Sequence, residues 1–264
     1  MWKQLLSPDL LRGLGQAAAA SAAALVVMLL ARTRRIHVEG ETIVALVRGL
    51  VQIVIVGSIL TLLLRGPSWT SVFILTFMMV AAAATSARRA KRIPGAFRAS
   101  LYGIATGTGL TIALMTLLGA IDRRIATLVP VGSMLIANAM NANGLALDRF
   151  RSEVQSHVGQ IESALALGAA PDTAVVRYVQ SSYQASLIPA IDNLRSLGIV
   201  WIPGLMAGMV LSGSPPLYAA IYQFVVLAMI FASSGLTCLI STTLIRSHAF
   251  SPAEQLVLRP GAEA

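Results

Sequence analysis

Three asparagines, Asn138, Asn141 and Asn143, fall within six residues of a mainly apolar stretch. Two methionines, Met134 and Met140, lie in the same stretch. Asparagine oxygens coordinate hard cations, whereas thioethers prefer softer metals. These side chains could therefore line the route of a solute. They could equally form hydrogen bonds between helices, a structural role worth about 1 kcal/mol per bond. The spacing leaves both roles open.

Arg48 and Gln52 form a second polar pair inside an apolar stretch. They are four residues apart, so in a helix they lie on one face. Arg48, near one end of the stretch, could simply extend its guanidinium to the membrane interface. Gln52 lies deeper and is expected to face other helices or a pathway, because a polar side chain is costly against lipid. The candidate pathway residues are Arg48, Gln52, Met134, Asn138, Asn141 and Met206.

Motifs of hydrolytic enzymes are missing from the sequence. The two lysines, Lys3 and Lys91, do not follow a glycine, so there is no phosphate-binding G-x-x-x-x-G-K-[ST] loop. The histidines His37, His157 and His248 are far apart and form no His-x-x-x-His zinc pair. A G-x-S-x-G nucleophile motif is also missing. The sequence favours a protein that is not an enzyme, and it does not identify any metal ligands.

The composition is that of a membrane protein. Of 264 residues, 56% are hydrophobic and 12% charged, about half the charged share of a soluble domain. The single cysteine excludes a disulfide scaffold, and the apolar content excludes disorder. Apolar blocks of this length predict an all-α, polytopic helical bundle. Seven spans are expected, at about 14–31, 43–64, 70–87, 98–118, 128–147, 197–212 and 217–245.

The distribution of basic residues predicts the orientation. Fourteen of the 20 lysines and arginines fall on one side of the seven spans and five on the other, with Arg48 inside the second span. Basic residues are retained in the cytoplasm, so we expect a multi-pass protein of the cell membrane with its N-terminus outside and its C-terminus in the cytoplasm. The net charge of +9 is thereby explained without a nucleic-acid partner. The basic loop from Arg88 to Gly95 suits contact with anionic lipid head groups.

The largest segment outside the expected spans covers about residues 148–196. Apolar side chains recur in it at helical spacing, which predicts an amphipathic helix: Val154, Val158, Ile161 and Leu165. Gly168 suits the end of this helix and Pro171 the first turn of the next. The pattern predicts a cytoplasmic helical hairpin, which could pack against its own bundle or dock on a partner.

Glycines and a proline predict special packing in two spans. Gly103, Gly107 and Gly109 in the fourth span favour close approach of another helix. Pro203, Gly204 and Gly208 in the sixth span indicate a kinked or interrupted helix beside a close Gly204-x-x-x-Gly208 contact.

Several runs together resemble the iron-export ABC transporter permeases, the FetB-like family. The most specific run is Gly198-Ile-Val-Trp-Ile-Pro203-Gly204-Leu-Met206-Ala-Gly208, continued by Gly213-Ser-Pro215 and Ala219-Ala-Ile-Tyr222-Gln223. Weaker ones are Arg48-x-x-x-Gln52, Val129-Pro-Val-Gly-Ser-Met-Leu-Ile-Ala-Asn138-Ala-Met140 and Leu187-Ile-Pro189-Ala-Ile-Asp192. The resemblance implies that residues 1–264 form one permease domain, which exports iron as a homodimer. It also implies a separate ATPase subunit that holds ATP and Mg, so that this chain needs no cofactor.

The run Glu162-Ser-Ala164-Leu-Ala-Leu-Gly168-Ala169 is similar to the Glu-Ala-Ala…Gly coupling loop of ABC permeases. The resemblance implies that Glu162, Ala164 and Gly168 couple the ATPase to the spans.

Relatives in plants are linked to aluminium tolerance and to a nucleotide-sugar substrate. The alternatives are therefore a permease for another solute, such as a nucleotide sugar or another metal, or an ATP-independent secondary transporter. A membrane scaffold whose hairpin binds a different partner is a third hypothesis.

Overall fold

The computed structural model describes residues 8–34, 39–64, 66–67, 69–90, 93–251 and 253–258. Over these residues the chain is helical and contains no β-strand, which confirms the predicted all-α class. The helices are α1 (Pro8–Thr33), α2 (Glu39–Leu64), α3 (Thr70–Arg89), α4 (Ala96–Leu117), α5 (Ile125–Ser156), α6 (Val158–Ala166), α7 (Pro171–Ser196), α8 (Gly204–Leu211) and α9 (Pro216–Arg246). A short 3₁₀ helix, Ser247–Ala249, follows α9.

The helix lengths match the thickness of a membrane. Seven helices of the described part have between 20 and 32 residues, or about 30 to 48 Å at 1.5 Å per residue, against a hydrocarbon core of about 30 Å. Five of them are also apolar enough to cross it, namely those at Arg12–Thr33, Thr70–Arg89, Ala96–Leu117, Ile125–Ser156 and Pro216–Ala249. In α2 the apolar stretch is the shorter Thr42–Ser58, and α7 carries more polar residues.

The expected sixth span, 197–212, is wrong in its boundaries. The sixth long helix is α7, which packs along α5 and α9. Residues 197–203 are irregular, and only the eight residues of α8 follow as a helix, about 12 Å long. The predicted interruption at Pro203 is confirmed, since its ψ of 140° precedes the first turn of α8. α7 has the length of the spanning helices but is not one of the helices that are apolar enough to cross a membrane.

The chain divides into two compact units, residues 1–66 and 67–264. The first contains α1 and α2, which contact each other. In the second, α9 is central and packs against α4, α5, α7 and α8, while α3 packs against α4 and α5. All sites described below, apart from Arg48 and Gln52, belong to the second unit.

Two glycines of α4 allow α9 to approach closely. A Cβ placed on Gly103 would lie 2.8 Å from the backbone oxygen of Thr237, and one on Gly107 would lie 2.6 Å from its backbone nitrogen. The close packing predicted for Gly103 and Gly107 is therefore confirmed. Gly109 differs, because its nearest neighbour is the Met79 methyl at an ordinary 3.9 Å.

Candidate functional site

The predicted helical hairpin is present, formed by the end of α5, α6 and the start of α7. It turns at Gly168, whose φ of +87° is the left-handed conformation that favours glycine. Its amide donates to the carbonyl of Leu165 at 2.9 Å, and the amide of Ala169 donates to that of Ala164 at 3.0 Å. Pro171 begins α7, as predicted. The one difference is at His157, where the expected continuous helix breaks between α5 and α6.

The inner face of the hairpin is attached to the bundle. Ile161 of α6 and Val175 and Tyr178 of α7 are buried in the same apolar cluster as Phe150 and Val154 of α5. The rings of His157 and Tyr178 stack with centroids 5.0 Å apart. At the start of α7, Asp172 forms a 3.3 Å ion pair with Arg246 at the end of α9. A force applied to this hairpin would therefore reach α5, α7 and α9 together.

The outer face of the hairpin is open. A cavity of about 860 Å³ lies between α6 and α7, and its lining includes Gln160, Ala164, Leu167 and Thr173. Leu167, beside the turn, is 89% exposed. Of the three expected coupling residues, Ala164 lines the cavity and Gly168 forms the exposed turn, whereas Glu162 is half-buried and does not line the cavity. The hairpin thus has an inner face that packs on its own bundle and an outer face open to a partner.

The expected pathway residues are distributed over three helices. Arg48 and Gln52 are exposed on α2. Met134 and Asn138 of α5 are half-buried and adjacent, because the Asn138 amide donates to the Met134 carbonyl at 2.8 Å. Asn141 is exposed on the same helix, and Met206 is half-buried on α8. Of these six, the described structure joins only Met134 and Asn138 by a hydrogen bond.

The third asparagine of α5, Asn143, has the structural role that the sequence left open. Its side chain is fully buried. Its amide nitrogen donates to Ser86 Oγ of α3 at 2.6 Å and to Ser100 Oγ of α4 at 2.9 Å, and its carbonyl oxygen accepts from Ser241 Oγ of α9. One side chain therefore joins four helices.

A buried amide that sequence reasoning did not select lies on α9. Gln223 is 1% exposed, and neither atom of its amide has a hydrogen-bond partner among the described residues. A polar side chain in a span is costly unless it is paired, so Gln223 is a functional candidate. The available signal was its position as an amide in the N-terminal third of the expected seventh span.

Tyr222, next to Gln223, lines a cavity at the end of the bundle far from the hairpin. The cavity measures about 640 Å³ and is also lined by Asp122, Arg123, Met209 and Tyr218. The Tyr218 and Tyr222 rings stack with centroids 6.2 Å apart, and the Tyr222 hydroxyl has no partner among the described residues. Asp122 is 3.5 Å from Arg124 Nε, so its charge is compensated. Three or more acidic, histidine or cysteine side chains grouped to hold a metal are not found in the described part of the chain.

These features define a multi-pass α-helical membrane protein with a helical hairpin at one end of its bundle. The sequence profile described as "Uncharacterised protein family (UPF0014)" matches residues 14–250. The chain belongs to this family of membrane proteins.

Relatives of nearly equal length occur in plants and bacteria. The chain is 32% identical to "UPF0014 membrane protein STAR2" of Oryza sativa subsp. japonica, over 94% of this chain and 87% of the relative. It is 31% identical to "Protein ALUMINUM SENSITIVE 3" of Arabidopsis thaliana, over 93% and 90%. It is 30% identical to "Probable iron export permease protein FetB" of Escherichia coli K12, over 91% and 93%. No solved structure matches the chain significantly.

Proposed function

We propose that the chain is the membrane-spanning permease subunit of an ABC transporter, and that a separate cytoplasmic ATPase subunit binds ATP and Mg. The main support for this proposal is the hairpin, which has an open outer face and a packed inner face. Its outer cavity and Leu167 offer a docking surface, while its inner face is packed against α5 and continues into α7. A movement imposed on the outer face would be transmitted to the spans. The 30% identity to a protein named as an iron export permease supports the same role.

The solute proposed first is iron, moved outward. The name of the Escherichia coli relative supports it. The cavity lined by Tyr218, Tyr222 and Arg123 favours a second candidate, a larger solute such as a nucleotide sugar, because about 640 Å³ is the size of a small-molecule pocket. Uptake of radioactive iron and of a nucleotide sugar into inverted vesicles, each with and without ATP, distinguishes the two. Equal transport without nucleotide would instead favour a secondary transporter.

The proposal includes a homodimer with the N-terminus outside and the C-terminus in the cytoplasm. No residue of α8 is buried, and no atom of the described residues lies within 4 Å of a Cβ placed on Gly204 or Gly208. The close contact expected at this pair is therefore open to a second copy. The orientation follows from the excess of basic residues on the side of the hairpin.

The first experiment is purification of the tagged protein from its native membrane, with identification of bound partners. A stoichiometric ATPase is expected. Leu167→Ser should remove it without unfolding the permease, because the side chain is 89% exposed. The matched control is Leu118→Ser, which is 69% exposed at the other end of the bundle and should retain the ATPase. Reproducible purification without an ATPase, or equal loss in both variants, would contradict the proposal.

A second variant tests transmission rather than docking. Gly168→Pro cannot keep the φ of +87° that the turn requires. ATPase stimulation should be abolished while membrane insertion is unchanged. Unchanged stimulation would count against a coupling role for this turn.

A further inference from the structure

A cavity of about 680 Å³ lies where α3 ends and α4 begins, at the end of the bundle that carries the hairpin. Arg88, Arg98 and His248 provide its polar lining, and none of its described lining residues is acidic. Ala84, Ala87, Ile93 and Phe97 form its apolar wall. Cationic and apolar surfaces thus meet in one cavity at the ends of two helices that are apolar enough to cross the membrane.

Neither guanidinium group of the cavity has a counter-ion among the described residues. Arg88 and Arg98 are both exposed, and no ion pair joins either one to an acidic side chain of the described residues. Two acidic side chains of this end pair with other arginines: Glu153 is 3.1 Å from Arg149, and Asp172 pairs with Arg246. The cavity therefore keeps an uncompensated positive charge.

The imidazole of His248 closes one side of the cavity. Its Nδ1 lies 3.0 Å from the Leu244 carbonyl, and its Nε2 has no hydrogen-bond partner in the described part of the chain. The ring is accommodated because residue 95 is glycine: a Cβ there would lie 2.4 Å from the imidazole Cδ2 and 2.6 Å from Nε2. The φ of Gly95, +76°, also favours glycine.

We propose that this cavity binds the phosphate-bearing head group of an anionic phospholipid. Arg88 and Arg98 bind the head-group oxygens by charge-assisted hydrogen bonds, and His248 lies beside them. The apolar wall, with Phe97 43% exposed, contacts the start of an acyl chain. A free phosphate would leave this wall against water, so the combination favours a lipid. Basic residues near an anionic membrane surface contribute about 1 kcal/mol each, or about a fivefold change in affinity.

The test is titration of the purified full-length protein in neutral detergent with dioleoyl-phosphatidylglycerol, with occupancy measured by native mass spectrometry. Arg88→Gln and Arg98→Gln should each weaken binding about fivefold, and the double variant about 25-fold. Dioleoyl-phosphatidylcholine should bind the original protein no more tightly than dioleoyl-phosphatidylglycerol binds the double variant. Arg195→Gln removes the same charge at a side chain that is 77% exposed and lines neither cavity, and should leave binding unchanged. Unaltered thermal unfolding of each variant shows that it is folded.

Three results would overturn the proposal. Equal binding of phosphatidylcholine would show that charge is not recognised. Equal weakening by Arg195→Gln would show an effect of net charge rather than of this cavity. Displacement of phosphatidylglycerol by millimolar inorganic phosphate would show that the cavity binds the free anion rather than a lipid.

Discussion

The hydrogen bonds of Asn143 make a measurable contribution to the stability of the bundle. Asn143→Ala removes two bonds donated to serines of α3 and α4 and one accepted from α9. In membrane proteins such bonds average about 0.6 kcal/mol and reach about 1 to 2. Three bonds at about 0.6 to 1 kcal/mol each predict a loss of about 2 to 3 kcal/mol in the free energy of unfolding. The buried serines Ser86 and Ser100 lose their partner, whereas Ser241 retains its 2.8 Å bond to the Thr237 carbonyl.

The matched control is Asn141→Ala, on the same helix. Asn141 is exposed, so its replacement should change the free energy of unfolding by no more than about 0.5 kcal/mol. Ser241→Ala removes one of the three bonds and should cost about 1 kcal/mol.

The assay is unfolding of the purified protein by increasing mole fraction of dodecyl sulfate in mixed micelles, followed by tryptophan fluorescence. The reasoning predicts the order Asn143→Ala, Ser241→Ala, Asn141→Ala, from least to most stable. Equal stability of the two asparagine variants would refute it, because they differ in burial and bonding but not in the group removed.

Three further predictions concern packing and charge. Gly107→Ala places a Cβ 2.6 Å from a backbone nitrogen of α9 and should lower the free energy of unfolding by about 1 to 3 kcal/mol in the same assay. Gly109→Ala should be nearly neutral, because the nearest atom is 3.9 Å from its Cβ position. Equal effects would contradict the close approach of α4 and α9. Arg246→Gln breaks the partly exposed 3.3 Å ion pair with Asp172 and should lower the free energy of unfolding by less than about 1 kcal/mol. The difference should be smaller in 1 M salt. A larger loss that is independent of salt would show that the ion pair is not screened. Gly208→Leu should leave the unfolding of the monomer unchanged, since no atom of the described residues lies within 4 Å of its Cβ position, but should abolish chemical crosslinking between two copies in the membrane. Crosslinking as efficient as that of the original protein would exclude this face from the proposed dimer.

The hairpin was predictable because its signals are local. A glycine at the end of one helix and a proline in the first turn of the next define the turn within four residues, and the structure has both, at Gly168 and Pro171. The apolar spacing from Val154 to Leu165 also located the face that packs on the bundle. The break at His157 was not predictable, because the apolar periodicity continues through it.

The boundaries of the expected sixth span were wrong because hydropathy measures composition and does not show where a helix is interrupted. Residues 197–212 are apolar, yet Pro203 divides them and only α8 is helical. The more polar α7 is long and packed on two sides by α5 and α9. The hairpin pattern predicted this helix from Pro171 onwards, and its polar residues leave it outside the helices that are apolar enough to cross a membrane.

The sequence by itself determined the class of the protein, most of its long helices, its hairpin turn and the glycines that permit close packing, because each depends on composition or on residues within a few positions of one another. Only the tertiary structure decided which polar side chains are paired. Asn141 and Asn143 are two residues apart, a rotation of about 200° on a helix. One is exposed and the other joins four helices. The serines that bond to Asn143 are 57, 43 and 98 residues distant in the chain, and a pairing over such separations is set by the way the helices pack.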